Sequence, residues 1–144
     1  MIYAVDFDGT CVTHEYPETG QDIGAARVPR RLVDNGHKLV LNTMRSGVDL
    51  DNAVKWFAEN DIPLHGVGVT PGQRRWTTSP KAYADNYIDD AALGAPLTNV
   101  LRHNGVHTIY RGKPFIDWEK MEALLEKTGA FENLKHNDND QLQS

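Results

Sequence analysis

Asp6 and Asp8 flank a single phenylalanine at the end of the apolar run Ile2-Tyr3-Ala4-Val5, and Gly9-Thr10 follows directly. In an extended chain, residues two apart project to the same side, so both carboxylates can face one ligand. Gly9 lets the chain turn tightly behind them. Aspartate and glycine also favour plain turns, but a D-x-D-G-T run placed after a buried strand is more specific than a turn requires. A second acidic site, Asp89-Asp90, ends the run Asn86-Tyr87-Ile88. Adjacent acids at the end of an apolar strand repel each other, and a bound cation is the natural remedy.

Thr43 follows the apolar run Leu39-Val40-Leu41-Asn42. A hydroxyl at a strand end, beside free backbone N–H groups, can hold a phosphate oxygen; taken alone it reads better as a cap. Lys81, after Ser79-Pro80 and shortly before the last acidic strand, reads in isolation as a solvated lysine. Arg45 is a candidate for pairing with a phosphate or a second anionic group, against a surface ion pair. Arg74-Arg75-Trp76 offers cations and a stacking surface, although a solvated loop with a tucked tryptophan is the plainer expectation. His14 is expected to be exposed rather than catalytic. The other histidines show no metal-ligand spacing, and Cys11 reads as a small packing residue.

These residues need strands to carry them. Ile2–Val5 reads as a buried strand, and Thr13–Ala25 as a polar stretch broken by Pro17, Gly20 and Gly24. Pro29 suits the first turn of a short helix that Gly36 ends. Residues 38–42 form a second strand candidate. Between Gly47 and Asn60, Leu50, Val54 and Phe57 recur at helical spacing, with Pro63 just beyond. Residues 64–69 are a third strand candidate, 70–80 a loop, 86–89 a fourth strand and 106–110 a short fifth. Residues 117–127 form a helix with Asp117 as N-cap, Met121, Leu124 and Leu125 on one face, and Gly129 as the stop. The domain is expected to span residues 1–131, and the polar tail 132–144 to fray. Strands alternating with helices predict a single α/β domain, a mostly parallel sheet with helices on both faces. Ligands bind at the carboxyl ends of strands in such sheets, so Asp6, Asp8, Thr43 and Asp89-Asp90 should converge.

At 144 residues the chain suits one domain, and 40% hydrophobic with 24% charged residues is ordinary for a globular protein. A net charge of −5 argues against a general nucleic-acid binder. One cysteine excludes an internal disulfide. No apolar run is long enough to span a bilayer, no signal-like segment opens the chain, and a cytoplasmic enzyme is expected.

In order and type, these elements resemble the motifs of the haloacid dehalogenase superfamily of phosphohydrolases. Asp6 to Thr10 matches that family's D-x-D-x-[TV] motif, Thr43 its strand-end hydroxyl, and Lys81 with Asp89-Asp90 its basic residue and acid pair. The likeness spans residues 1–90, and the stretches 41–45 and 79–90 look further like a small group of short members. It implies a Rossmann-like domain and phosphate monoester hydrolysis. Asp6 would attack phosphorus to form an aspartyl phosphate, while Asp8 serves as general acid and base. Thr43 and Lys81 would hold phosphoryl oxygens. Asp6, the Asp8 carbonyl, and Asp89 or Asp90 would bind Mg²⁺, with Asp90 favoured as the direct ligand.

Electrostatics leads to the same cation independently. Four carboxylates against one lysine leave an excess of three negative charges. Two like charges about 4 Å apart cost roughly 4 kcal/mol at an effective dielectric of 20. Oxygen ligands beside phosphate select a hard ion such as magnesium. Neither gap between motifs has room for a folded cap domain. The site is therefore expected to be open to a small phosphorylated substrate, or walled by a second copy of the chain. Two rivals stand beside the hydrolase. A receiver-like phosphoacceptor would place its acid pair first and its phosphorylated aspartate later, the reverse of the order here. A catalytically idle binding module would have no need of both Asp6 and Asp8.

Overall fold

The apolar run after Met1 becomes the strand on which the fold is built. In the computed structural model, which describes residues 1–132, β1 (Ile2–Val5) is flanked by β2 (Lys38–Leu41) and β4 (Asn86–Ile88). The two-residue β3 (Gly66–Val67) lies outside β2, giving a four-stranded sheet in the order β3-β2-β1-β4. Every pairing is parallel, and the register sets Ala4 beside Val40 and Tyr87, and Val5 beside Leu41 and Ile88. Parallel neighbours need crossovers, and α1 (Arg27–Asp34) and α2 (Gly47–Glu59) provide those from β1 to β2 and from β2 to β3.

Crossovers of one hand that step in one direction put their helices on one face, and the return to the other side of β1 falls on the opposite face. Burial follows this rule. Tyr3, Val5, Leu39, Leu41 and Ile88 share one apolar cluster with Val28 and Leu32 of α1 and with Ala53, Trp56 and Phe57 of α2. Trp118, Met121 and Leu125 of the last helix, α3 (Trp118–Lys127), join the same cluster. Burying each such large side chain stabilises the fold by about 1.5–3 kcal/mol. Ala4, Val40 and Tyr87 alternate to the other face. The expectation of helices on both faces is corrected here. The return from β3 to β4 is an irregular segment with one 3₁₀ turn at Gln73–Arg75, because Pro71, Gly72 and Pro80 punctuate it.

The fifth strand candidate, 106–110, also lands differently. As β7 (Val106–Ile109) it pairs antiparallel with β6 (Val100–His103), apart from the parallel sheet. Asn104 and Gly105 join them with φ of 49° and 78°, the two positive values that an Asn-Gly hairpin supplies. A second small pair joins β5 (Leu97–Thr98) to β8 (Phe115–Ile116). This end of the chain docks on the turn after β1: the Ile116 N–H donates to the Gly9 carbonyl at 2.9 Å, and Trp118 Nε1 to the Thr10 carbonyl at 2.8 Å. Asp117 caps α3 as expected, its carboxylate accepting from the Lys120 N–H at 3.1 Å, whereas Leu124 points outward. The fraying expected of residues 132–144 lies, from residue 133 onward, outside the described residues. No described helix is long and apolar enough to cross a membrane.

Candidate functional site

Three neighbouring strands end together. The Asp6 N–H donates to the Ile88 carbonyl at 3.0 Å and the Asn42 N–H to the Val5 carbonyl at 2.9 Å. These bonds extend the ladder one residue past β1 and β2, so Asp6 is held between the end carrying Thr43 and the end carrying Asp89-Asp90. Gly9 then turns the chain at φ 76°. A Cβ at Gly9 would run into His14 Nε2 and the Asp90 carboxylate, so the turn needs glycine for its conformation and for space.

An open cavity of about 400 Å³ lies over these strand ends, lined by Asp6, Asp8, Thr43, Arg45, Asp89 and Asp90. The polar loop adds His14 and Tyr16, the Thr43 turn adds Met44, and the approach to β8 adds Lys113. Asp6, Asp89 and Asp90 each bring a carboxylate oxygen to within 4.8 Å of one another. Thr10 braces the group: its hydroxyl lies 3.0 Å from Asp90 Oδ1 and 3.3 Å from Asp6 Oδ2, and it accepts the Asp90 N–H at 3.0 Å. Burial, and then the neighbouring Asp89 and Asp90 carboxylates, push Asp6 up to about 8, against a backbone N–H from Phe7 that pulls it down. Three hard oxygen donors gathered this closely, one of them buried and repelled by the other two, fit a divalent cation of the magnesium or calcium type.

The shift has a direct consequence for stability. Between the ordinary aspartate value of 3.8 and about 8, folded Asp6 keeps a proton that the unfolded chain has lost. Its stabilisation of the metal-free protein is whole below that window and is lost as pH rises through it, at up to about 1.4 kcal/mol per unit. Only the ionised carboxylate of Asp6 could ligate a cation. The rise in Tm given by magnesium over a chelator is therefore expected to be larger near about pH 8 than near about pH 5, and Asp6→Asn should flatten the metal-free slope. Equal rises at both pH values would contradict this.

Asp8 does not join the three-acid group with its carboxylate. Arg45 Nε donates to Asp8 Oδ2 and Arg45 Nη2 to Asp8 Oδ1, both at 2.7 Å. The remaining Arg45 donors go to the carbonyls of Pro17 at 3.1 Å, Asp49 at 3.2 Å and Glu18 at 2.7 Å. The Arg45 side chain is only 1% exposed. The expectation that Arg45 meets substrate is therefore corrected: all five of its N–H groups are engaged inside the protein.

Thr43 reaches the cavity, and its hydroxyl oxygen accepts the Arg45 N–H at 3.1 Å, leaving its O–H to donate elsewhere. The structure does not bring Lys81 there. Gln73 holds the Lys81 carbonyl at 2.6 Å, and the lysine lies 5.0 Å from the centre of the Tyr87 ring, on the sheet face opposite the helices. Lys113 is the lysine that lines the cavity. His14, expected to be exposed, is half-buried with Nε2 2.9 Å from Asp90 Oδ2. No local signal marked Lys113; for His14 the tight Gly9 turn was the readable hint. Cys11 packs as expected, its buried thiol pushed well up by desolvation. Trp76 is not tucked: it is exposed and lines a different hollow.

No family model and no curated protein matches this chain. It is similar to a solved structure described as a conserved protein coded by a locus from Bacteroides thetaiotaomicron, at 27% identity and a TM-score of 0.69, over 93% of this chain and 96% of that one.

Proposed function

We propose that this chain is a divalent-metal-dependent phosphate monoester hydrolase of the haloacid dehalogenase type, built on a Rossmann-like core. The observation that supports it best is the meeting of Asp6, Asp8, Thr43 and Asp89-Asp90, from strand ends far apart in sequence, around one open cavity. The ligand crevice of an open parallel sheet lies where connections leave neighbouring strands in opposite directions, and β1 and β4 are such a pair.

Asp6 is the nucleophile. One of its oxygens forms a bond to phosphorus as the ester P–O bond breaks, and the leaving oxygen takes a proton from Asp8. Asp8 then removes a proton from water, whose oxygen bonds to phosphorus while the Asp6–phosphorus bond breaks, releasing inorganic phosphate. For this work Asp8 must turn at least one oxygen away from Arg45. Magnesium held by Asp6, Asp89 and Asp90 would keep Asp6 ionised and offset the phosphoryl charge. Thr43 and Lys113 bind the phosphoryl oxygens, with Lys113 in the role the motif pattern gave to Lys81.

Release of phosphate from a simple aryl ester with magnesium, and its loss with a chelator, tests the reading; no release with any divalent cation would refute it. The two lysines separate within the same assay. Lys113→Ala is expected to raise KM about ten-fold or more, as loss of a charge-assisted contact does. Lys81→Ala should change KM less than about two-fold, and the reverse pattern would return the phosphate role to Lys81.

A further inference from the structure

The segment between β3 and β4 walls a second hollow of about 340 Å³ that shares no lining residue with the Asp6 cavity. We infer that it is a binding site for a single nucleotide, recognised as a flat aromatic ring carrying an anionic group.

The walls carry the inference. Trp76, Tyr83 and Tyr87 are 67%, 43% and 39% exposed, and all three face this hollow. Trp76 and Tyr83 meet edge to face with centroids 5.8 Å apart, which leaves ring faces free for a stacked partner. Lys81 stands over Tyr87 on the same wall, and the adjoining turn carries exposed Arg74 and Arg75. Three cations within eight residues stand out in a chain of net charge −5. Asp85, the acid beside Tyr83, has both oxygens engaged, by the Ile2 N–H and the Tyr83 hydroxyl.

The walls are also held in place. Gln73 is 2% exposed. Its Oε1 accepts from the N–H groups of Thr70 and Tyr83 at 3.1 and 2.9 Å, and its Nε2 donates to the Lys81 carbonyl at 2.6 Å. The Tyr87 hydroxyl donates to the Ala82 carbonyl at 2.6 Å. Exposed aromatics fixed around a concavity mark a binding surface better than scattered ones do. Aromatic faces stack on any base, and Lys81, the cation that lines the hollow, takes the phosphate. The volume lies at the small end of ligand pockets, and the acidic chain has no basic tract to follow a long strand.

The tryptophans make the test selective. Trp56 and Trp118 are 9% and 5% exposed, so quenching of tryptophan fluorescence reports chiefly on Trp76. Adenosine monophosphate would be titrated into the Asp6→Asn protein with chelator present, to prevent hydrolysis. A saturable quench is expected, weakened about ten-fold or more by Tyr83→Ala and by Lys81→Ala and unchanged by Lys113→Ala. Adenosine alone and inorganic phosphate alone should each bind at least about ten-fold more weakly, since each offers half of the recognised chemistry. The absence of a saturable quench, equal binding of adenosine, or full binding by Lys81→Ala would overturn the assignment. Tighter binding of a short oligodeoxythymidylate than of the mononucleotide would overturn it in favour of a single-strand surface. Both exposed side chains can be removed without touching Gln73, so a misfolded Tyr83→Ala still leaves Lys81→Ala to decide.

Discussion

Asp6→Asn is expected to abolish the phosphoenzyme and to lower turnover by on the order of 10⁴-fold or more, the scale on which a covalent nucleophile is missed. The amide cannot bond to phosphorus as the carboxylate does, and one of the three gathered acids is lost as well. Asp8→Asn should behave differently. It leaves the proposed nucleophile in place and removes only the proposed proton carrier, which is typically worth about 10²–10⁴-fold. Its loss should be greater with a poor leaving group, which needs protonation, than with an activated aryl ester. Comparing both variants on both esters, with trapping of the acyl phosphate, reads out the roles. A phosphoenzyme in Asp6→Asn, or an Asp8→Asn protein matching the parent on both esters, would remove this mechanism.

Arg45→Met is expected to cost about 3 kcal/mol of folding stability, the low end for breaking a buried ion pair from one side, because the Arg45 side chain is 1% exposed but that of Asp8 is 19% exposed at the cavity. The methionine would leave Asp8 with no counter-charge and the carbonyls of Pro17, Glu18 and Asp49 without their donor. For a domain of this size that loss lowers Tm by on the order of 10 °C. Much of it comes from the stranded Asp8 carboxylate, so adding Asp8→Asn to Arg45→Met should restore part of the stability in a double-mutant cycle. A Met variant within about 1 kcal/mol of the parent in denaturant unfolding would show that the pair is not a structural hub.

What was legible in the sequence was what depends on neighbours along the chain. Alternating and continuous apolar runs marked β1, β2 and β4; helical spacing marked α2 and α3; Asp117 declared itself as a cap. Because parallel strands all end on one side, Asp6, Asp8, Thr43 and Asp89-Asp90 were bound to meet once those strands were recognised. The Asn104-Gly105 turn is equally a local signal, since that residue pair suits the two positive φ values it adopts. What only the tertiary structure decided was the destination of the long side chains and the loops. Lys113 reaches the cavity because β8 pairs with β5 and bonds back to Gly9, more than a hundred residues away. Lys81 is turned aside by the bonds that Gln73 makes across its own loop. Arg45 is drawn inward by the Pro17 and Glu18 carbonyls of the polar loop, which no spacing links to it, and by the Asp49 carbonyl four residues on. A strand fixes its side-chain directions within two residues, whereas a loop takes its course from whatever surface it packs against.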